Sequence, residues 1–179
     1  MTMSDNLIDI RHLKKYFNVS SGLLHAVDDV SLTIPRGKTL GLVGESGCGK
    51  STLGRVIIGL IKETAGEVLF NGEDATKFSG EKRAEFRRHA QIVFQDPFSS
   101  LNPRMSVSQL ISEPLIINKS CKSKAELDAK VAELMDLVGL ASRLTTSFPH
   151  ELDGGRRQRI GIARALALNP EFIVLDEPV

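Results

Sequence analysis

Apolar residues in the first third of the chain alternate with polar ones or cluster as β-branched runs, which predicts strands. The predicted strands are Leu7–Ile10, Val30–Ile34, residues 39–43 (TLGLV) and Gly66–Phe70. Pro35-Arg36-Gly37 and Asn71-Gly72 predict turns after two of these strands. Good helix formers from Ser51 to Leu60 predict a helix directly behind a glycine-rich stretch.

The pattern in the remainder of the chain predicts mainly helices. Charged residues from Glu81 to His89 predict a helix, Gln91–Phe94 a short strand, and Asp96–Arg104 (DPFSSLNPR) a loop. From Lys124 to Leu140 the apolar residues are three or four positions apart, which predicts one helix face that packs against its own domain. These residues are Leu127, Val131, Leu134 and Val138.

The last elements are a predicted helix from Gly154 to Leu168 and an apolar strand, Phe172–Leu175. Strands that alternate with helices favour an α/β fold with a core sheet that is mostly parallel. The stretch from about Gln95 to Leu152 predicts a helical insertion between two core strands.

Composition narrows the class of protein. The chain has 179 residues, of which 41% are hydrophobic and 25% charged, so we expect a folded core rather than disorder. A net charge of +1 gives no general attraction for nucleic acid or anionic lipid. Two cysteines cannot form a disulfide framework, and no signal peptide or membrane span is visible, so we expect a soluble intracellular protein.

Residues 44–51 (GESGCGKS) match the phosphate-binding pattern G-x-x-x-x-G-K-[ST]. Small residues let successive backbone N–H groups surround a phosphate, and the following helix adds the positive end of its dipole. Lys50 would reach the β- and γ-phosphates, and the Ser51 hydroxyl would bind Mg²⁺. The alternative is an ordinary glycine-rich turn between strand and helix, but the predicted flanking elements favour nucleotide binding.

Two carboxylates, Asp176 and Glu177, follow the apolar strand Phe172–Leu175. Asp176 would hold Mg²⁺, and Glu177 would orient and deprotonate the attacking water. The alternative is a strand end with solvated acids, yet a phosphate loop in the same chain favours the functional interpretation.

With these motifs in this order, the chain resembles the ATP-binding subunits of ABC transporters. Two further segments carry the resemblance: residues 95–107 (QDPFSSLNPRMSV) and 148–166 (FPHELDGGRRQRIGIARAL). Both are most similar to the branch of oligopeptide and dipeptide importers, which also includes nickel importers. The resemblance implies a P-loop NTPase core of ABC type with an N-terminal antiparallel β subdomain and an inserted helical subdomain at about 96–152. It implies one ATP-binding domain over residues 1–179, incomplete at the C-terminus.

The resemblance also assigns roles to individual residues. Gln95 corresponds to the glutamine that contacts Mg²⁺ and the attacking water; its alternative is a polar strand end. Phe17 corresponds to the aromatic that stacks on adenine, with Tyr16 as the other candidate and simple packing as the alternative. The implied ATP-binding residues are Gly44, Glu45, Ser46, Gly47, Cys48, Gly49, Lys50, Ser51, Thr52 and Phe17. The implied catalytic residues are Glu177 and Gln95, and the implied Mg²⁺ ligands are Ser51, Gln95 and Asp176.

The family signature, Leu-Ser-Gly-Gly-Gln, is altered in this chain. Its positions are held by Leu152, Asp153, Gly154, Gly155 and Arg156. In the family this segment closes on the ATP of a partner subunit, so a carboxylate at Asp153 would repel the γ-phosphate. Arg156 would offset that charge, either on Asp153 or on phosphate. The two ATP sites of a dimer would then differ.

The family continues past the acidic strand into a D-loop and a switch histidine, and the sequence shows neither. His150 precedes the signature and cannot be that histidine. We therefore expect a fragment of a longer chain that binds nucleotide poorly by itself.

The resemblance implies the ATPase subunit of a membrane importer, most similar to those for peptides, that lies peripherally on the cytoplasmic face of the membrane. Its expected cofactors are ATP and Mg²⁺. Its expected partners are a second ABC subunit, identical or paralogous, membrane permease subunits and, indirectly, an extracytoplasmic solute-binding protein, with no nucleic acid. The alternatives are a soluble ABC ATPase of translation or DNA repair, which would need tandem domains or a coiled-coil insertion, and a non-catalytic nucleotide-binding remnant.

Overall fold

The computed structural model describes residues 5–20, 22–96 and 100–177, and these separate into two units, residues 1–87 and 88–179. Each unit has its own sheet. The predicted loop at 96–104 includes residues 97–99, which lie outside the described residues.

The first unit is built on a four-stranded antiparallel sheet of order β2-β1-β3-β4. Its strands are β1 (Asn6–Val19), β2 (Gly22–Pro35), β3 (Ala65–Phe70) and β4 (Glu73–Asp74). Ile10 in the central strand pairs with Leu32 on one side and Val68 on the other. Ile8 and Ile10, two residues apart and on one face, are fully buried, as the alternating pattern predicted.

Helix α1 (Lys50–Ile57) packs on this sheet through Leu53, Val56 and Ile57. A short 3₁₀ turn, Ala75–Lys77, follows β4, and helix α2 (Gly80–His89) comes next.

The prediction of a strand at residues 39–43 was wrong. The segment forms no strand, and Leu40, Leu42 and Val43 are 49%, 49% and 93% exposed. A strand exists only where a neighbouring backbone completes its hydrogen bonds, and no described strand pairs with this segment. An apolar run indicates a tendency to be buried, but it does not supply the pairing partner.

Among its described residues, the second unit contains a two-stranded parallel sheet and three helices of 11 to 14 residues. β5 (Ala90–Val93) pairs with β6 (Phe172–Leu175) in the register Ala90↔Phe172 to Val93↔Leu175. The helices are α3 (Val107–Ile117), α4 (Lys124–Leu137) and α5 (Gly154–Leu166), with 3₁₀ turns at Ser142–Leu144 and Pro149–Glu151. The predicted parallel pairing is therefore present, with two strands among the described residues.

The three helices enclose the core of the second unit. Val107, Leu110 and Ile111 from α3 and Ile160 from α5 are fully buried. The predicted stripe on α4 packs into the same core, because Val131 and Leu134 are each 3% exposed. α4 ends at Leu137, three residues before the predicted end. No helix among the described residues is both long and apolar enough to cross a membrane.

Candidate functional site

The glycine-rich loop ahead of α1 folds around the side chain of Lys50. The Lys50 ammonium donates to the backbone carbonyls of Gly44 at 3.0 Å and Glu45 at 2.7 Å, so it lies inside the curve of the loop. The Cys48 backbone N–H donates to the Glu45 carbonyl at 3.3 Å and tightens the turn. Ser51 and Thr52 follow in the first turn of α1 and are half-buried.

Glycine is required at the end of this loop. Gly49 caps α1 with a φ of 97°, and a Cβ at this position would lie 2.0 Å from the backbone oxygen of Ala26. Gly47 also has a positive φ, 79°, but a Cβ there would meet open space. Gly49 therefore lets the loop backbone lie directly against β2, where any side chain would collide.

The loop and the start of α1 form a site suited to an anion. The first turn of α1 contains no acidic residue, so the positive end of the helix dipole is not neutralised there. Lys50 adds a full positive charge beside the loop. Residues Gly44 to Thr52, predicted to bind phosphate, thus lie together in one loop and helix start.

The acidic strand end lies in the second unit. Asp176 is 6% exposed, and its backbone N–H donates to the Val93 carbonyl at 3.0 Å, which extends the β5–β6 pairing by one residue. Glu177 follows in a left-handed conformation with a φ of 47° and is exposed. The turn therefore separates the two carboxylates into a buried and a solvent-facing group.

Gln95 and Glu177 are in contact, although 82 positions separate them. The Gln95 Nε2 donates to the Glu177 Oε2 at 2.5 Å. Parallel strands place their carboxyl ends at one edge of the sheet, and Gln95 and Glu177 each lie two residues past the end of their strand. The two predicted catalytic residues thus meet at this edge.

The predicted metal ligands have the chemistry that Mg²⁺ requires. Ser51, Gln95 and Asp176 offer hydroxyl, amide and carboxylate oxygens, and Mg²⁺ prefers such ligands together with water and phosphate oxygens. Within the described residues no group of three or more His, Cys, Asp or Glu side chains forms a site for a metal held by protein alone. Ser51 lies in the first unit and Gln95 and Asp176 lie in the second, so their joint role at Mg²⁺ stays a prediction.

The two candidate adenine-stacking residues have different surroundings. The ring of Tyr16 stacks on His25 with 3.9 Å between ring centroids, and its hydroxyl donates to Asp28. This hydrogen bond, with a smaller effect of burial, raises the pKa of Tyr16 to about 12. The same bond, together with one from His25, lowers the pKa of Asp28. Phe17 is half-buried, and the Lys15 ammonium lies over its ring, 4.8 Å from the centroid.

Asp153 begins α5, a role that the sequence pattern did not reveal to us. Its carboxylate accepts the Arg156 backbone N–H at 2.8 Å, and the Arg156 guanidinium lies 3.1 Å from the other carboxylate oxygen. Of the two expected positions for Arg156, the structure shows the one on Asp153. An aspartate directly before a helix is itself a capping signal, so this role could have been found from sequence.

Comparisons with known proteins agree with this geometry. The sequence model of the family described as ABC transporter matches residues 27–179. The oligopeptide transport ATP-binding protein OppF of Bacillus subtilis is 54% identical over 99% of this chain and 58% of its own length. The dipeptide transport ATP-binding protein DppF of Lactococcus lactis is 49% identical over 100% of this chain and 58% of its own. The chain thus spans a little over half the length of these relatives.

Solved structures show the same fold. The ATP-binding cassette MJ0796, in a dimeric post-hydrolysis state bound to ADP and Pi, matches with a TM-score of 0.88 and 30% identity. That match covers 96% of this chain and 74% of the other. CbiO1 of Clostridium perfringens, part of the ABC transporter complex cbiONQ, matches with a TM-score of 0.80 and 29% identity over 98% of this chain and 66% of the other.

Proposed function

The chain belongs to the ABC transporter family, and from this membership we propose that it is the ATP-binding and ATP-hydrolysing part of a membrane importer for oligopeptides or dipeptides. The observation that carries the ATP-binding proposal is the loop at residues 44–49, which curves around Lys50 and leads into a helix start without acidic residues. The peptide substrate is supported by the names of the most similar relatives, which are oligopeptide and dipeptide transport proteins.

Each site residue has a distinct chemical task in this proposal. Lys50 exchanges its bonds to the loop carbonyls for the β- and γ-phosphates, and the loop N–H groups bind the remaining phosphate oxygens. Phe17 packs against the adenine. Ser51, Asp176 and the Gln95 amide oxygen are the residues that would hold Mg²⁺, which would supply positive charge against the phosphates.

Glu177 is the base for the attacking water. Its carboxylate is exposed at the end of β6, so it can accept a proton from a water molecule. The Gln95 amide donates a hydrogen bond to one carboxylate oxygen of Glu177. In the proposed reaction Gln95 would contact Mg²⁺ and the attacking water, and Glu177 would accept a proton from that water.

We propose that the subunit acts in a dimer at the cytoplasmic face of the membrane, attached to permease subunits. A dimeric relative bound to ADP and Pi supports the dimer. The Asp153–Arg156 pair would face a partner's nucleotide there, so a partner with a serine at that position would produce two unlike ATP sites.

ATP binding and hydrolysis by the full-length protein test this function. Lys50→Ala should abolish binding of a fluorescent ATP analogue, since the loop loses its charge for the phosphates. Glu177→Gln should leave binding intact but lower turnover at least about 100-fold, because the base is lost. Undiminished turnover in Glu177→Gln would contradict the catalytic role and leave a nucleotide-binding protein.

A further inference from the structure

The chain that follows Gln95 is attached to the helices of the second unit at Ser100 and Leu101. Leu101 lies in the helical core and is 4% exposed, so apolar packing holds the chain there. One residue earlier, the Ser100 backbone carbonyl accepts a hydrogen bond from the Arg164 Nη1 of α5 at 3.0 Å. Apolar packing has no preferred direction, whereas this hydrogen bond fixes the direction of the Ser100 carbonyl.

The Arg164 guanidinium is itself oriented by a second partner. Its Nη2 donates to the Glu113 Oε2 of α3 at 3.2 Å, so one planar group connects α5, α3 and the Ser100 backbone. A guanidinium presents its N–H groups in a fixed fork, and a carboxylate that holds one side sets the direction of the other. The side chains of Arg164 and Glu113 are 34% and 36% exposed, and an ion pair so exposed adds little to stability. The connection is therefore better suited to orient the backbone than to stabilise the fold.

Gln95 lies between two fixed points of the chain. Before it, Val93 ends β5 and accepts the Asp176 backbone N–H at 3.0 Å. After it, the Ser100 carbonyl is bound to Arg164. The five steps from Gln95 to Ser100 span at most about 18 Å, so the position of Ser100 limits where the Gln95 side chain can lie.

We propose that Arg164 is a positioning residue for ATP hydrolysis. By holding the Ser100 carbonyl, it keeps the Gln95 amide at the sheet edge where Glu177 lies. This inference rests on the proposed function, because Arg164 has this task only if Gln95 takes part in hydrolysis. The nucleotide is held by residues 44–52 in that function, so loss of Arg164 should lower kcat and leave the KM for ATP nearly unchanged.

Steady-state ATP hydrolysis by the full-length protein carrying Arg164→Ala tests the proposal. Its kcat should fall at least about tenfold, and its KM for ATP should stay within about twofold of the original value. Arg159→Ala is the matched control, because Arg159 also lies on α5 and also donates to backbone carbonyls, those of Val138 at 3.2 Å and Gly139 at 2.9 Å. These carbonyls follow the end of α4, so Arg159→Ala should lower the stability without lowering kcat.

The same substitution in a Gln95→Ala background tests whether Arg164 acts through Gln95. The Gln95→Ala protein retains Glu177 as the base, so slow turnover remains measurable. In this background Arg164→Ala should lower kcat by less than about twofold, because the side chain that it positions is already absent. If Arg164→Ala does not fold, Glu113→Ala replaces it and should lower kcat at least about threefold, again only when Gln95 is present.

Three results would overturn the inference. They are an unchanged kcat in Arg164→Ala or its replacement Glu113→Ala, an equal fall of kcat in Arg159→Ala, and an equal effect with and without Gln95. If the unmodified full-length protein hydrolyses no ATP, the proposed function fails and this inference fails with it. Hydrolysis that is insensitive to these substitutions overturns the inference alone.

Discussion

Replacement of Gly49 by alanine should destabilise the first unit far more than the same change at Gly47. Both glycines have positive φ, and an alanine in that region costs about 1–2 kcal/mol. At Gly47 this is the whole effect, because the new Cβ meets open space. At Gly49 the Cβ would lie 2.0 Å from the Ala26 oxygen, whereas real Cβ contacts essentially never fall below 3.0 Å.

The collision at Gly49 cannot be relieved by a side-chain rotation, because Ala26 presents a backbone oxygen. The loop and β2 must therefore separate by about an ångström, and we expect a total loss of at least about 3 kcal/mol. That is a large part of the roughly 5–15 kcal/mol by which domains are stable. Gly47→Ala should lose only about 1–2 kcal/mol.

Urea unfolding of the full-length protein, monitored by circular dichroism, measures both losses of unfolding free energy. The dependence of that free energy on urea concentration should be the same in both variants. Affinity for a fluorescent ATP analogue should fall in the same order, since the displaced loop no longer directs its N–H groups at the phosphates. Equal losses of stability in Gly47→Ala and Gly49→Ala would refute the close approach of the loop to β2.

Three further predictions follow from particular contacts. Asp28→Asn should lower the pKa of Tyr16 from about 12 towards 10.0, because the neutral phenol loses its carboxylate acceptor. The chain has a single tyrosine and no tryptophan, so the absorbance of the phenolate measures this pKa directly. An unchanged titration would contradict the contact. Asp153→Ala should destabilise α5 by about 1 kcal/mol in thermal unfolding, whereas Asp153→Ser should keep the cap. If ATP turnover of the assembled transporter is unchanged in Asp153→Ser, the argument for two unlike ATP sites fails. Leu134→Ala should cost about 2–5 kcal/mol in urea unfolding, and Leu137→Ala, at a side chain that is 67% exposed, should cost far less; similar values would mean that α4 packs through another face.

The parts of the fold that sequence predicted are those fixed by local pattern. The apolar spacing of α4 placed Val131 and Leu134 in the core, and the loop at residues 44–51 was identified because its chemistry lies in consecutive positions. The bounds of α3 were not predicted, although Ser106 and Gln109 form a capping box at its start. Pro114 inside that helix weakens its local signal.

The features that sequence did not predict depend on distant partners. The apolar residues at 39–43 do not indicate which strand would pair with them, and this segment belongs to neither of the described sheets. The hydrogen bond between Gln95 and Glu177 joins residues 82 positions apart and follows from the register of β5 on β6.

The most direct test of the central claim is ATP-driven uptake of a labelled oligopeptide by vesicles that contain the full-length protein assembled with its permease subunits. The account predicts uptake that requires ATP inside the compartment where this subunit lies, and that falls at least about 100-fold in Glu177→Gln while ATP binding persists. Peptide uptake that continues at the original rate in Glu177→Gln would contradict the account.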